Sequence, residues 1–272
     1  LSLTGNFSYA KNKVIEADEV TLGDDYAYPL RTTGFSIGQC WGYHIDRSVN
    51  PELGLDGSGF FNTQEQLDLF LSKVKYNTSY APRVGDFVYK DLNGDNVIGP
   101  EDLAPIGYSS LLPRITYGAT LSGQIYGFDF SVMIQGTGQY TRNYGSHVMY
   151  EWYGNTRFYA DFCDNRWTQE KYEAGKKITH PAISANGGSS HESNNYYTMD
   201  ASYIRLKNIQ VGYTLPAKLT KKIGMNNVRV FVSADNLHTW TNMPTKIIDP
   251  EQNNFFSYPL MKTYTAGISV DL

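Results

Sequence analysis

Cysteine, charge and long apolar runs are all scarce in this sequence. The two cysteines, Cys40 and Cys163, stand alone among 272 residues, so no disulfide framework or thiolate metal site is written in their spacing. The histidines, His44, His147, His180, His191 and His238, show no HExxH or paired-ligand spacing, which argues against a zinc centre. Charged residues are 18% of the chain and the net charge is -4, leaving no basic stripe for nucleic acid. No apolar run in the sequence is long enough for a membrane helix, and none has the pattern of a signal peptide. No glycine-rich phosphate loop stands before a helix. The carboxylates Glu16, Asp18, Glu19, Asp24 and Asp25 crowd into one turn region and read as a solvated surface rather than an acid pair for hydrolysis. Nothing here marks an enzyme.

What the chain does have is tyrosine and glycine. Aromatics reach 14%, led by 22 Tyr, with 25 Gly, and Leu-rich amphipathic runs are missing. That composition predicts an all-β protein. Strict alternation marks strands at 1–9, 33–46, 115–125, 128–135, 203–215, 228–235 and 264–272. The fifth slips phase between Leu206 and Ile209, which predicts a bulge. One short helix is expected over Thr63–Ser72, with Thr63 as N-cap and Gln66 three residues on. The chain opens in mid-strand and not on Met, so it is read as the C-terminal piece of a longer protein.

Asp91–Asp102 has the spacing of a calcium loop. Asp91, Asn93 and Asp95 stand at positions 1, 3 and 5, Val97 offers its carbonyl at 7, and Asp102 closes at 12. Position 6 is Asn96 where glycine is usual, and the alternative is an Asx-rich turn without an ion. The aromatic-rich stretch Tyr140–Trp167 is the candidate substrate surface. Tyr150, Trp152, Tyr153, Tyr159 and Trp167 offer flat faces to sugar rings, or pack the loop against its neighbours.

Alternation says that one face of each strand leaves water, not whether it enters a protein core or lipid. Strands of about ten residues suit a bilayer. With the seven strands taken in order, 47–113, 138–201 and 239–261 fall on one side, while 11–32, 126–127 and 216–227 fall on the other. Outer-membrane barrels sort long and short connections in this way. A soluble β-sandwich that binds glycan and calcium, and a β-rich glycoside hydrolase, are the rival readings. Seven strands cannot close a barrel, because open edges in lipid cost several kcal/mol per unpaired group.

The blocks Gly85-Asp86-Phe87-Val88-Tyr89-Lys90-Asp91-Leu92-Asn93-Gly94-Asp95 and Tyr203-Ile204-Arg205-Leu206-Lys207-Asn208-Ile209-Gln210-Val211-Gly212-Tyr213 resemble the C-terminal third or so of SusC/RagA-type TonB-dependent outer-membrane transporters. So do Asn6-Phe7-Ser8-Tyr9, Val230-Phe231-Val232-Ser233-Ala234-Asp235-Asn236-Leu237 and Asp249-Pro250-Glu251. The chain departs from the pattern in ending on Leu272 rather than an aromatic. The resemblance implies the last part of a transmembrane antiparallel β-barrel of 22 strands with long extracellular loops. It also implies a plug and a TonB-contacting segment outside this sequence. A SusD-like surface lipoprotein would serve as lid. The cargo would be an oligosaccharide, or a peptide, carried without catalysis across the outer membrane of a Gram-negative bacterium.

Overall fold

The computed structural model describes residues 1–28, 31–144, 160–183, 187–243, 248–252, 258 and 260–271. They form two compact units. The first comprises Leu1–Lys11, Pro113–Tyr140 and Ala201–Leu272; the second, Asn12–Leu112 and Thr141–Asp200.

The first unit is one antiparallel sheet of six strands in sequence order. We number them β1 (Ser2–Tyr9), β2 (Ile115–Ile125), β3 (Phe128–Gly138), β4 (Tyr203–Thr214), β5 (Asn227–Thr241) and β6 (Thr263–Asp271). Cross-strand register sorts the side chains by face. One row runs Leu3, Leu121, Val132, Ile209, Ala234, Tyr264 across all six strands. A polar row nearby runs Ser2, Ser122, Ser131, Gln210, Ser233, Thr265. Because successive strand residues point to opposite faces, these rows define an apolar face and a polar face. The apolar face is bare: Leu3 is 74% exposed, Val232 58% and Ile268 70%. A sheet built for water would cover such a face with a second layer.

The turn between β2 and β3 is Tyr126-Gly127, both at positive φ (49° and 86°), as a tight two-residue hairpin with right-handed twist requires. The expected irregularity in β4 is present: register shifts between Leu206 and Asn208 against both neighbours. On β5 the same irregularity places Asn236 at φ 54°.

One expected strand is not in this sheet. Of 33–46, only Gln39–Gly42 is a strand, and it pairs with Ala104–Ser109 inside the second unit. Gly34 (φ 93°) and Gly38 (φ 75°) bend the backbone where alternation reads as continuous, and Cys40 and Gly42 are buried among neighbours. A Cβ on Gly42 would lie 2.6 Å from the Ser193 carbonyl oxygen. Hence β1 pairs directly with β2, from Ser2↔Ser122 to Tyr9↔Ile115. Residues 10–114 become a single connection, so 11–32 moves to the long-connection side of the sheet. The connections 10–114, 139–202 and 242–262 all leave one end; 126–127 and 215–226 leave the other. Six strands thus sort their connections more cleanly than seven.

The second unit is built on aromatic packing. Phe60, Phe61, Phe70, Phe87 and Tyr89 are buried, with Phe60 stacked on Phe87 at 5.1 Å and Tyr43 on Tyr89 at 4.8 Å. The helix Gln64–Leu71 forms as expected, with Thr63 and Gln66 making a reciprocal capping box and Leu67 and Phe70 turned inward. Asn194, wholly buried, ties the loops together. Its amide nitrogen donates to Tyr89 Oη at 3.0 Å, and its oxygen accepts from the Tyr196 and Tyr197 backbone at 3.0 and 3.3 Å. The described residues of 12–112 and 141–200 thus have an aromatic core of their own.

Candidate functional site

The polar face of the sheet carries two charge clusters, one toward each end. At the long-connection end stands Arg205 of β4, fully buried. Its Nη2 donates to both Asp249 carboxylate oxygens at 2.7 and 2.6 Å, and its Nη1 to Glu251 Oε2 at 2.7 Å. Its Nε donates to Thr239 Oγ1 at 2.8 Å. The other Glu251 oxygen accepts from Gln135 Nε2 at 2.8 Å and from the Tyr203 hydroxyl. Tyr203, Arg205, Gln135 and Thr239 share the polar parity of β4, β3 and β5, so register alone brings them together. The segment Ile248–Gln252 is thereby strapped to the wall, with Asp249 also accepting the Glu251 N–H at 2.9 Å. A planar guanidinium suits this two-carboxylate grip as a lysine would not.

At the short-connection end, Arg229 of β5 donates to both oxygens of Asp129 on β3, at 2.8 and 2.5 Å. It reaches across β4 over Gly212, where a Cβ would lie 2.5 Å from the guanidinium. Glycine at this position is what opens the path.

In the loop Asp91–Asp102 the carboxylates cap backbone N–H groups. Asp91 accepts from Gly94 (2.6 Å) and Asn96 (2.8 Å), and Asp95 from Val97 (2.7 Å). Asp102 accepts from Leu92 (2.7 Å) and Gly99 (3.0 Å). Burial pushes the Asp102 carboxyl up, against the pull of those N–H donors. Asn93 accepts from Asp95 at 3.1 Å and donates to the Asp25 carbonyl at 2.8 Å. Asn96 takes the left-handed turn itself, at φ 63°, so the lack of glycine at position 6 costs the loop no shape. The donors are those a hard cation takes. Even so, among the described residues no three His, Cys, Asp or Glu side chains are gathered to hold a metal ion. The loop's fold is accounted for by its Asx turns.

Of the aromatic candidates, Tyr150, Trp152, Tyr153 and Tyr159 lie outside the described residues. Trp167 is 9% exposed, and its indole N–H donates to Asn62 Oδ1 at 3.0 Å. A Cβ on Gly85 would meet the indole at 2.6 Å. Trp167 therefore pins the strand-like stretch 85–90 from within the loop unit. Asp86 beside it is buried, which pushes its carboxyl up, with Arg83 at 3.6 Å opposing the shift.

The Arg205 cluster was not singled out from sequence, although its parts were there. An arginine at polar parity on a strand, and an Asp-Pro-Glu in the next long connection, are complementary in charge. Nothing in the spacing says that the two meet.

No family model matches the chain. It is 29% identical to TonB-dependent receptor P26 of Formosa agariphila, over 96% of this chain and 26% of the relative. It is also 29% identical to TonB-dependent receptor P3 of the same organism, over 97% of the chain and again 26% of the relative. The chain thus spans about a quarter of the length of the curated relatives it matches. Among solved structures, that of the RagAB peptide transporter matches 98% of this chain and 27% of its own, with a TM-score of 0.59 at 19% identity, a likeness of fold. The chain is thus similar along nearly its whole length to TonB-dependent receptors, of which it is a homologue, and it is alike in fold to RagAB.

Proposed function

We propose that this chain forms part of the wall and outer loops of a TonB-dependent importer in the outer membrane. The observation that carries the reading is the sheet itself: one apolar face left bare, one polar face, and every long connection at one end. In a closed barrel of 22 strands, β1 and β6 would each pair with a further strand, removing the edges that lipid does not tolerate. The polar face lines the lumen, and the long connections meet the cell exterior. Import rather than catalysis is the activity, with TonB acting through a plug and a SusD-like lipoprotein closing over the mouth.

The cargo in this reading is an oligosaccharide, met by the aromatic stretch that includes Tyr150, Trp152, Tyr153, Tyr159 and Trp167. A peptide cargo is the second reading, favoured by the fold shared with a transporter described as carrying peptides. Calcium enters only as a structural ion on Asp91, Asn93, Asp95, the Val97 carbonyl and Asp102. The strap Ile248–Gln252, held by Arg205 on the lumen face, narrows the path next to the mouth and fixes one wall of it.

The full-length receptor should require detergent, run as a heat-modifiable band, and support TonB-dependent growth on its cargo. Full solubility in buffer would refute the membrane reading. Growth on a glycan but not on peptides decides between the two cargoes.

A further inference from the structure

The apolar face holds a concave feature. A groove of about 520 Å³ lies at the short-connection end of β4, β5 and β6, walled by Phe128, Val211, Tyr213, Val232, Ala266 and Ile268. Its hollow follows from the small side chain of Ala266, which in register faces Val232 rather than a bulky partner. The connection that caps these same strands is 215–226. It is tied down by Leu215 N–H to the Val228 carbonyl (2.9 Å) and Asn226 N–H to the Asp271 carbonyl (2.8 Å).

That connection carries Lys218, Lys221 and Lys222, all exposed. None of them makes an ion pair among the described residues. Between them Leu219 is 57% exposed, in the helical turn Ala217–Thr220. Tyr126, 93% exposed, stands at the neighbouring hairpin turn. The acids of the sheet at this end have the polar parity: Asp129 is held by Arg229, and Asp271 accepts from Asn227 at 3.3 Å. An apolar groove on strands whose connection carries unpaired cations and an exposed leucine, with an exposed tyrosine at the neighbouring turn, has the elements a lipid takes: chain, interface, phosphate.

We propose that this end of the wall is a binding site for one anionic phospholipid of the facing leaflet. Its acyl chain lies in the groove between Val211 and Ala266, and its phosphate sits at Lys218, Lys221 and Lys222. The charge of the connection selects the headgroup; the groove holds the chain. This rests on the apolar face being lipid-facing. It goes further, in assigning one position and one headgroup charge.

The test is native mass spectrometry of the full-length receptor released from mixed micelles of phosphatidylglycerol and phosphatidylcholine with the same acyl chains. Wild type should retain phosphatidylglycerol over phosphatidylcholine. The combined variant Lys218→Gln, Lys221→Gln, Lys222→Gln should lose that preference, by about fivefold per lysine at low salt. Ala266→Phe, which fills the groove, should lower retention of both lipids while keeping the preference. Excess inorganic phosphate should not displace the lipid, because the chain is needed as well. Equal retention of the two lipids by wild type would overturn the proposal. So would undiminished phosphatidylglycerol on the lysine variant, or undiminished lipid on Ala266→Phe. Should the lysine variant fail to fold, the groove variant and the wild-type comparison still decide. Any of these failures in a receptor that still needs detergent and stays heat-modifiable refutes the lipid site and leaves the barrel reading intact.

Discussion

Arg205 stands at full burial on the polar face with carboxylates of Asp249 and Glu251 around it. Such a group gains little over a well-packed apolar replacement, yet loses heavily when one partner is removed. Arg205→Met should cost about 3 kcal/mol of unfolding free energy, read as a lower denaturant midpoint, and make 248–252 a protease site. Adding Asp249→Asn and Glu251→Gln should recover most of the stability but not the protection. An unchanged midpoint in Arg205→Met would show that the strap is not held there. His191 gives a pH signature in the loop unit. Burial, helped by the nearby Arg83 charge, lowers its imidazole to about 4. Between the ordinary value of 6.5 and about 4, the unfolded chain takes up a proton that the folded one refuses. The loop unit should therefore lose stability as pH falls through that window, and His191→Gln should flatten the loss. Asp86, raised by burial, works the other way, favouring the folded form at acid pH. Thermal melts from pH 7 to 4 separate the two. Neither the Arg205 grip nor these shifted groups are legible in sequence, because each depends on segments brought together by tertiary packing.

At the level of elements, alternation located five of the six wall strands closely, and the phase slip between Leu206 and Ile209 marked a real irregularity. It failed at 33–46, where glycines at positive φ interrupt a pattern that counts side chains and not backbone turns. The helix Gln64–Leu71 was legible because its cap is local. Thr63→Ala should cost about 1 kcal/mol of loop-unit stability, measured by denaturant unfolding. The loop Asp91–Asp102 was legible as a turn; whether it takes an ion depends on the carboxylates converging. Calcium added to metal-free receptor should raise the melting temperature of the loop unit if the ion is structural, and Asp91→Ala with Asp95→Ala should abolish the rise. No rise in wild type would leave the Asx turns as the whole account.

The whole molecule divides its labour by face and by end. Polar residues occupy one face of the sheet, apolar residues the other, and the long connections all leave the same end of the strands. The parity of the two faces was visible in sequence, and the sorting of connections became clearer when residues 10–114 proved to be one connection; in the proposed reading the polar face meets water and the apolar face lipid. The measurement that tests it most directly places single spin labels at Val232→Cys and Ser233→Cys, neighbours on β5, in full-length receptor with Cys40→Ala and Cys163→Ser, reconstituted in bilayers. The label at 232 should be reached by oxygen dissolved in lipid and shielded from an aqueous nickel chelate, and the label at 233 should show the reverse. Equal access of the aqueous reagent to both would contradict the account, because the apolar face would then lie in water.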